Sequence, residues 1–298
     1  MSISNNYSEK SFYLYKPACI SLKSKHKNIF SSLYLFICLC VSSTVSATQP
    51  KIVGGNTAGA NAYPFMVAVE YQGYNFQFCG ASLITEKTVL TAAHCITDDN
   101  GRIIKNKIQV RLGTNVLNDG SGTVVNIKSI ARHPLYNPST FDYDVAILTL
   151  KTPVTLNDKI NVINLPKPCQ AIDCLTGLVT PGTLVRTIGW GLTSSSASEA
   201  SDILLRVDMP LISNRDCQTT YTWITDRMIC TDGTQQYPLG DTCQGDSGGP
   251  LFSYIGAARA GLQTGIVSFG HGCAEYAGAY TRVSNPSIRA FILKYAGT

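Results

Sequence analysis

Asp241-Thr242-Cys243-Gln244-Gly245-Asp246-Ser247-Gly248-Gly249-Pro250 decides how the rest of this 298-residue chain is read. A serine set among glycines with acids on either side suits neither a core strand nor a helix. Glycines at 245, 248 and 249 allow positive φ and let bare N–H groups approach a bound group closely. Such a loop can hold one hydroxyl forward while turning amide donors toward a neighbouring oxyanion. A glycine-rich surface turn would carry the same glycines. Ten residues in this order are nevertheless far more specific than a lone G-x-S-x-G.

Formal net charge is +5, from 24 basic and 19 acidic residues. Six of the basic residues and one acid, Glu9, precede Ile52, so the chain from Ile52 onward carries 18 of each and is formally neutral. That removes the electrostatic footprint expected of a nucleic-acid partner. The excess belongs to a leader, in which Lys23, Lys25 and Lys27 precede an apolar run at 29–45 ending in Val45-Ser46-Ala47. A positive segment, an apolar run and small residues make a secretory signal, with cleavage after Ala47. The run is interrupted by serines and is shorter than the ~20 apolar residues of a spanning helix, so no stable membrane insertion is expected after cleavage. Of 11 cysteines, Cys19, Cys38 and Cys40 fall in the leader, leaving eight. An even set in an exported chain reads as disulfides, and no C-x-x-C pair or close histidine pair offers a zinc site.

Downstream, short β-rich runs are punctuated by turns such as Asn118-Asp119-Gly120, a spacing that fits a barrel or a sandwich. Strands are expected at 65–69, 108–112 and 145–148. After a Pro-containing bridge at 166–182, more follow at 184–188, 203–207, 265–269 and 279–283. Residues 192–201, rich in Ser and Ala, read as a surface loop. Only the C-terminus reads as helical: Asn285 can cap it, Pro286 fits the first turn, and Ile288, Phe291, Ile292 and Tyr295 make one apolar stripe, expected to pack on the second half.

Acyl transfer by a serine needs a base, and an anion to orient that base. His94 lies in Leu90-Thr91-Ala92-Ala93-His94-Cys95, a small-residue segment able to turn tightly. Asp144 opens the apolar run Val145-Ala146-Ile147-Leu148, and a carboxylate heading into a core run calls for a partner. Asp142 is the neighbouring decoy.

Together these motifs resemble the chymotrypsin/trypsin family of serine proteases. Its chain order of histidine, aspartate and serine is His94, Asp144, Ser247 here, unlike the orders of subtilisins and α/β-hydrolases. The resemblance covers essentially all of 52–298. It implies an all-β fold of two antiparallel six-stranded β-barrels, about 64–165 and 183–283, with a C-terminal α-helix. Before this protease domain stand the leader, 1–47, and a short propeptide, 48–51. Lys51-Ile52-Val53-Gly54-Gly55 resembles an activation junction, which implies cleavage after Lys51 and pairing of the new Ile52 ammonium with Asp246.

The resemblance also assigns roles. Ser247 is the nucleophile, His94 the base and Asp144 its orienting acid, while the N–H groups of Gly245 and Ser247 form the oxyanion hole. Asp241 sits six residues before Ser247, where a carboxylate at a pocket base favours substrate Lys or Arg. Ser268, Gly270 and Gly278 resemble the pocket walls, and Phe269 replaces the family's usual tryptophan. Disulfides Cys79–Cys95, Cys217–Cys230 and Cys243–Cys273 are implied. Cys169 and Cys174 remain, without the family's usual distant partners, and a local loop between them is expected from their proximity in sequence.

No cofactor is expected. Between Arg111 and Val125 only Asp119 supplies a carboxylate, so no metal is expected either. His133 reads as structural, and His271 borders the pocket. Expected partners are protein or peptide substrates and protein protease inhibitors, with the enzyme a secreted monomer. The alternative is a catalytically silent scaffold of the same fold, against which stand the intact His94, Asp144, Ser247, Asp241 and Ile52.

Overall fold

The computed structural model describes residues 55–74, 76–167, 180–234, 240–253 and 261–296. The leader, the Lys51–Ile52 junction, Cys169 and Cys174 lie outside them. The described chain opens with a short strand, β1 (Asn56–Thr57), and then builds the first barrel. Its strands are β2 (Met66–Tyr71), β3 (Gln77–Thr85), β4 (Thr88–Thr91), β5 (Ile108–Leu112), β6 (Thr123–Arg132) and β7 (Ala146–Leu150). They close antiparallel in the order β2-β3-β4-β7-β6-β5. Val67, Ala68 and Val69 are all fully buried, so both faces of β2 are covered.

The second barrel is built from β8 (Leu184–Gly189), β9 (Leu205–Ile212), β10 (Met228–Thr231), β11 (Pro250–Phe252), β12 (Gln263–Phe269) and β13 (Gly278–Arg282). The order β9-β10-β13-β12-β11-β8 closes through the pairing of β8 with β9, and β1 adds along β9. On β9, Leu205, Val207, Met209 and Leu211 are buried and alternate with half-exposed residues, the period-two pattern of a strand with one wet face. This strand lies later than the 203–207 expected, running on through Pro210. Pro210 sits opposite Leu184, the first residue of β8, so its missing N–H falls at the end of the ladder.

The barrels meet in a packed joint. Phe65 and Phe252 cross edge to face at 5.4 Å, and buried Ser82 Oγ donates to Gln263 Oε1 at 2.7 Å. A Cβ on Gly80 would lie 3.0 Å from the Gly249 backbone, so glycine at 80 permits the approach of strand β3 to the 241–250 loop.

Two helices accompany the strands among the described residues. The first, α1 (Asn214–Cys217), escaped the sequence reading because it is a single turn; Ser213 Oγ caps it by accepting from Asp216 N at 3.1 Å. The second, α2 (Pro286–Ala296), starts where expected, with Asn285 Oδ1 accepting from Ser287 N at 3.1 Å. Its stripe needs correcting. Ile288, Phe291 and Ile292 join the core cluster that includes the first barrel, Phe291 reaching His133 at 4.9 Å, while Tyr295 is 44% exposed. The helix thus clamps back onto the first barrel rather than only onto the second. No described helix is long and apolar enough to cross a membrane.

Candidate functional site

His94 begins a single 3-10 turn just after β4, and the Cys79–Cys95 disulfide ties that turn to β3. Fully buried Ala92 and Ala93 let the chain turn without displacing neighbours. Asp144 stands two residues before β7 and is fully buried. Its Oδ2 lies 2.8 Å from His94 Nδ1, and its Oδ1 accepts from the His94 N–H at 2.9 Å. Ser268 Oγ donates to Oδ2 at 2.5 Å. A carboxylate only accepts, so Nδ1 carries the proton and Nε2 presents its lone pair. Ser268, expected as a pocket wall, turns its hydroxyl onto Asp144.

The Ser247 loop hangs between the barrels. Gly80 N donates to the Ser247 carbonyl at 2.7 Å, and Gly248 N to the Val267 carbonyl at 2.8 Å. Gly245 has φ of 97° and Gly248 of 80°, the left-handed region that glycine tolerates. A Cβ on Gly248 would also fall 2.3 Å from Thr91 Oγ1. Among the described residues neither the Gly245 nor the Ser247 N–H donates to a protein acceptor, so both remain available to an oxyanion. Gln77 Nε2 donates to the Gly245 carbonyl at 2.7 Å and fixes this part of the loop.

No hydrogen bond joins Ser247 Oγ to His94 among the described residues. Cys95 brings them together: its Sγ lies 3.6 Å from His94 Nε2 and 3.5 Å from the Ser247 carbonyl oxygen. Catalytic hydrogen bonds are often loose before substrate binds. Cys79, His94 and Cys95 cluster closely, but both sulfurs are consumed by the disulfide and offer no thiolate to a metal.

Two further acids lie beneath the loop. Asp246 is fully buried and accepts from Gly191 N at 2.8 Å and Cys243 N at 2.9 Å. Burial pushes its carboxyl up to about 7, and no cation lies within ion-pairing distance among the described residues. A Cβ on Gly191 would strike this carboxylate at 2.6 Å, so glycine is required there.

Asp241, 4% exposed, accepts from Thr242 N at 2.7 Å and Ala274 N at 2.9 Å. Burial raises it to about 6. The Cys243–Cys273 disulfide joins the segments that flank it, and a Cβ on Gly278 would come 3.1 Å from Asp241 Oδ1. Gly270 would meet only ordinary contacts, the nearest at 3.8 Å, so its bare Cα leaves room. The Cys217–Cys230 disulfide ties α1 to β10.

Sequence reasoning set Asp142 aside, and the structure gives it work. Arg227 Nε and Nη2 grip its carboxylate at 2.8 and 2.7 Å, across 85 residues and from the second barrel. The same guanidinium lies 4.6 Å from the Tyr143 ring, which also stacks on His133 at 4.5 Å. Phe141 and Tyr143 both have φ of 55°, a strained state for bulky residues. Arg227 therefore holds a strained loop that aims Asp144. Arg227→Met is expected to lower kcat about tenfold with KM nearly unchanged, partly recovered by Arg227→Lys, because small misplacements of the reacting groups are costly. Steady-state kinetics on a short substrate checks this; a rise in KM alone would contradict it.

The remaining expected residues fall in place as follows. His133 is 6% exposed, held below its ordinary pKa by burial, with Leu135 N donating to its Nδ1 at 3.2 Å. His271 is exposed, and its N–H donates to Tyr221 Oη at 3.0 Å. Asp119 accepts from Ser121 N at 2.8 Å within its own turn.

Comparison with known proteins agrees with this geometry. The family profile described as Trypsin matches residues 52–292. A trypsin of Xenopus laevis is 36% identical over 259 residues, covering 85% of this chain and 94% of the relative. Cationic trypsin-3 of Rattus norvegicus is 36% identical over 255 residues, with 84% and 92% covered. Trypsin I-P1 of Gallus gallus is 38% identical over 264 residues, with 86% and 94% covered. With two closed barrels, three disulfides among its described residues and a profile match over most of its length, this chain belongs to the trypsin family and is a serine endopeptidase.

Proposed function

We propose that the chain is a secreted zymogen whose processed form hydrolyses peptide bonds after Lys or Arg. One observation carries the reading most: buried Asp144 holds both the N–H and Nδ1 of His94, and the disulfide next to His94 touches the Ser247 carbonyl. Three segments far apart in sequence thus meet, which supports reading Asp144 as the acid, His94 as the base and Ser247 as the nucleophile. Ser247 attacks the scissile carbonyl and His94 takes its proton, later passing it to the leaving amine. Asp144 fixes the imidazole tautomer and stabilises the imidazolium. The developing oxyanion is met by the N–H groups of Gly245 and Ser247, each worth ~3 kcal/mol of barrier. Asp241 receives the substrate's cationic side chain through the room left by Gly270 and Gly278. Trapping by an organophosphonate tests the chemistry: an adduct on Ser247 is expected, and modification only elsewhere would refute it.

Activation follows from Asp246. Cleavage after Lys51 frees the Ile52 ammonium, and an ion pair with this buried carboxylate offsets its desolvation. In the unprocessed chain Asp246 titrates at about 7 against the ordinary 3.8, so between those values the folded state binds more protons than the unfolded. Stability then falls as pH rises from about 4 to about 7, by on the order of a few kcal/mol. A Lys51→Gln precursor is expected to show this decline, and the processed protein to lack it. Thermal unfolding of both forms from pH 4 to 8 measures it; parallel curves would exclude the pairing.

A further inference from the structure

Ile52 lies four residues before Asn56, so its reach is set by where the chain at 56–59 is anchored; four residues span at most about 14 Å. That anchoring is slight. Strand β1, two residues long, pairs with β9, and Ala58 N donates to the Leu204 carbonyl at 2.8 Å. A further hold comes from Asn115, in the turn after β5. Its Nδ2 donates to the Gly59 carbonyl at 3.0 Å and lies 3.5 Å from that of Ala58. The Gly59 carbonyl otherwise accepts only from Ala62 N, at 3.1 Å within its own turn, among the described residues. The backbone of Asn115 reaches toward Asp246. Its carbonyl accepts from Leu204 N at 2.7 Å and from Trp190 Nε1 at 3.2 Å. Trp190 is buried and stands between Gly189 and Gly191, which both pack on Asp246. A Cβ on Gly189 would collide with Asp246 Oδ1, and Gly191 N donates to that oxygen at 2.8 Å. One residue thus grips the root of the amine-bearing segment with its side chain and the wall around the carboxylate with its carbonyl.

We propose that Asn115 is a positioning residue for activation, setting how completely the Ile52 ammonium docks on Asp246 after cleavage. The inference rests on the activation reading above. An ammonium carried on a tether pairs in proportion to the effective concentration that the tether allows. A root fixed at 56–59 leaves fewer chain conformations to give up on docking. Once the Gly59 carbonyl is released, the segment starts from a broader ensemble and the pair forms less completely. The wall around Asp246 stays in place, because Trp190 and Leu204 are held by a backbone carbonyl that any residue at 115 supplies. For the same reason, variants of this side chain are expected to fold.

Asn115→Asp keeps the shape of the side chain and removes its N–H donors, and Asn115→Ala removes both. Each is compared with the parent as protein processed to begin at Ile52. Docking needs the ammonium, so kcat/KM falls at alkaline pH as that group loses its proton, and docking holds the fall above the ordinary α-amine range near ~8. Pairing weakened tenfold is expected to move the fall about one pH unit lower in both variants. Carbamylation of the Ile52 amine by cyanate, followed by mass spectrometry of the N-terminal peptide, should become about tenfold faster, because only the undocked amine reacts. A purely structural Asn115 would lower thermal stability and move neither readout. An alkaline fall and a carbamylation rate unchanged in both variants overturn the proposal. A change in Asn115→Ala without one in Asn115→Asp overturns it too, since the donated bond is then not the cause. If Asn115→Asp fails to fold, the same two readouts on Asn115→Ala decide. Carbamylation of the parent as fast as a free peptide with the same N-terminus removes the pairing with Asp246 itself, and this proposal with it; a protected parent with equally protected variants removes this proposal alone.

Discussion

Replacing Ser247 with alanine is expected to lower kcat by about a millionfold, the scale on which a serine nucleophile and its base act as one unit. His94→Ala should cost nearly as much, and the double variant little more, because neither group retains its function without the other. Asp144→Asn is expected to fall short of this, at about 10⁴, by leaving the imidazole in the wrong tautomer. These magnitudes are general to serine proteases; their assignment to Ser247, His94 and Asp144 is the proposal that the series tests. His94 and Asp144 are joined twice, at 2.8 and 2.9 Å, and Ser268 Oγ saturates the same carboxylate. Ser268→Ala should therefore weaken the acid's hold rather than alter substrate choice. Rates from active-site-titrated protein measure the series, and an Asp144→Asn variant as active as the parent would contradict the assignment.

Asp241→Ser is the second large effect. On the proposed assignment of Asp241 to the pocket base, removing its carboxylate is expected to cut kcat/KM for P1 Arg and Lys substrates by about 10³ to 10⁵, since a charged side chain would enter a pocket with no counter-charge. Apolar P1 substrates should change little. The parent carries a pH signature of the same contact. Burial raises Asp241 to about 6, so as pH falls through that value the carboxyl takes up a proton and its charge is lost. KM for an Arg substrate should then rise below pH ~6, while KM for an Ala substrate stays flat. Equal pH profiles for the two would remove Asp241 from the specificity assignment.

The parts of this site legible in the sequence were those whose chemistry is local. Glycines around Ser247 announce a left-handed loop, and Asp144 before an apolar strand announces a buried carboxylate in need of a partner. Pro286 and Asn285 mark the start of α2 by capping rules alone. What escaped was set by contacts between distant segments. Ser268 meets Asp144 across 124 residues, and Arg227 meets Asp142 across 85, so nothing near either residue points to its partner. Gln77 looks like an ordinary polar residue of a strand until the barrels close and bring it to the Gly245 carbonyl. The stripe of α2 was readable, but not the face it would meet, because a periodic pattern states that a side is buried and not against what. The strand expected at 203–207 runs on through Pro210, which the ladder tolerates because it pairs with Leu184, the first residue of β8.

The central claim is a Ser247-dependent peptidase with a cation-selecting pocket. It is tested most directly with protein processed to begin at Ile52 and matched peptides carrying Arg, Lys, Phe or Ala at P1, with Ser247→Ala as background. Turnover confined to Arg and Lys, and absent from the variant, is the predicted result. Turnover of Phe or Ala in preference to Arg and Lys, or equal turnover by the Ser247→Ala protein, would contradict it.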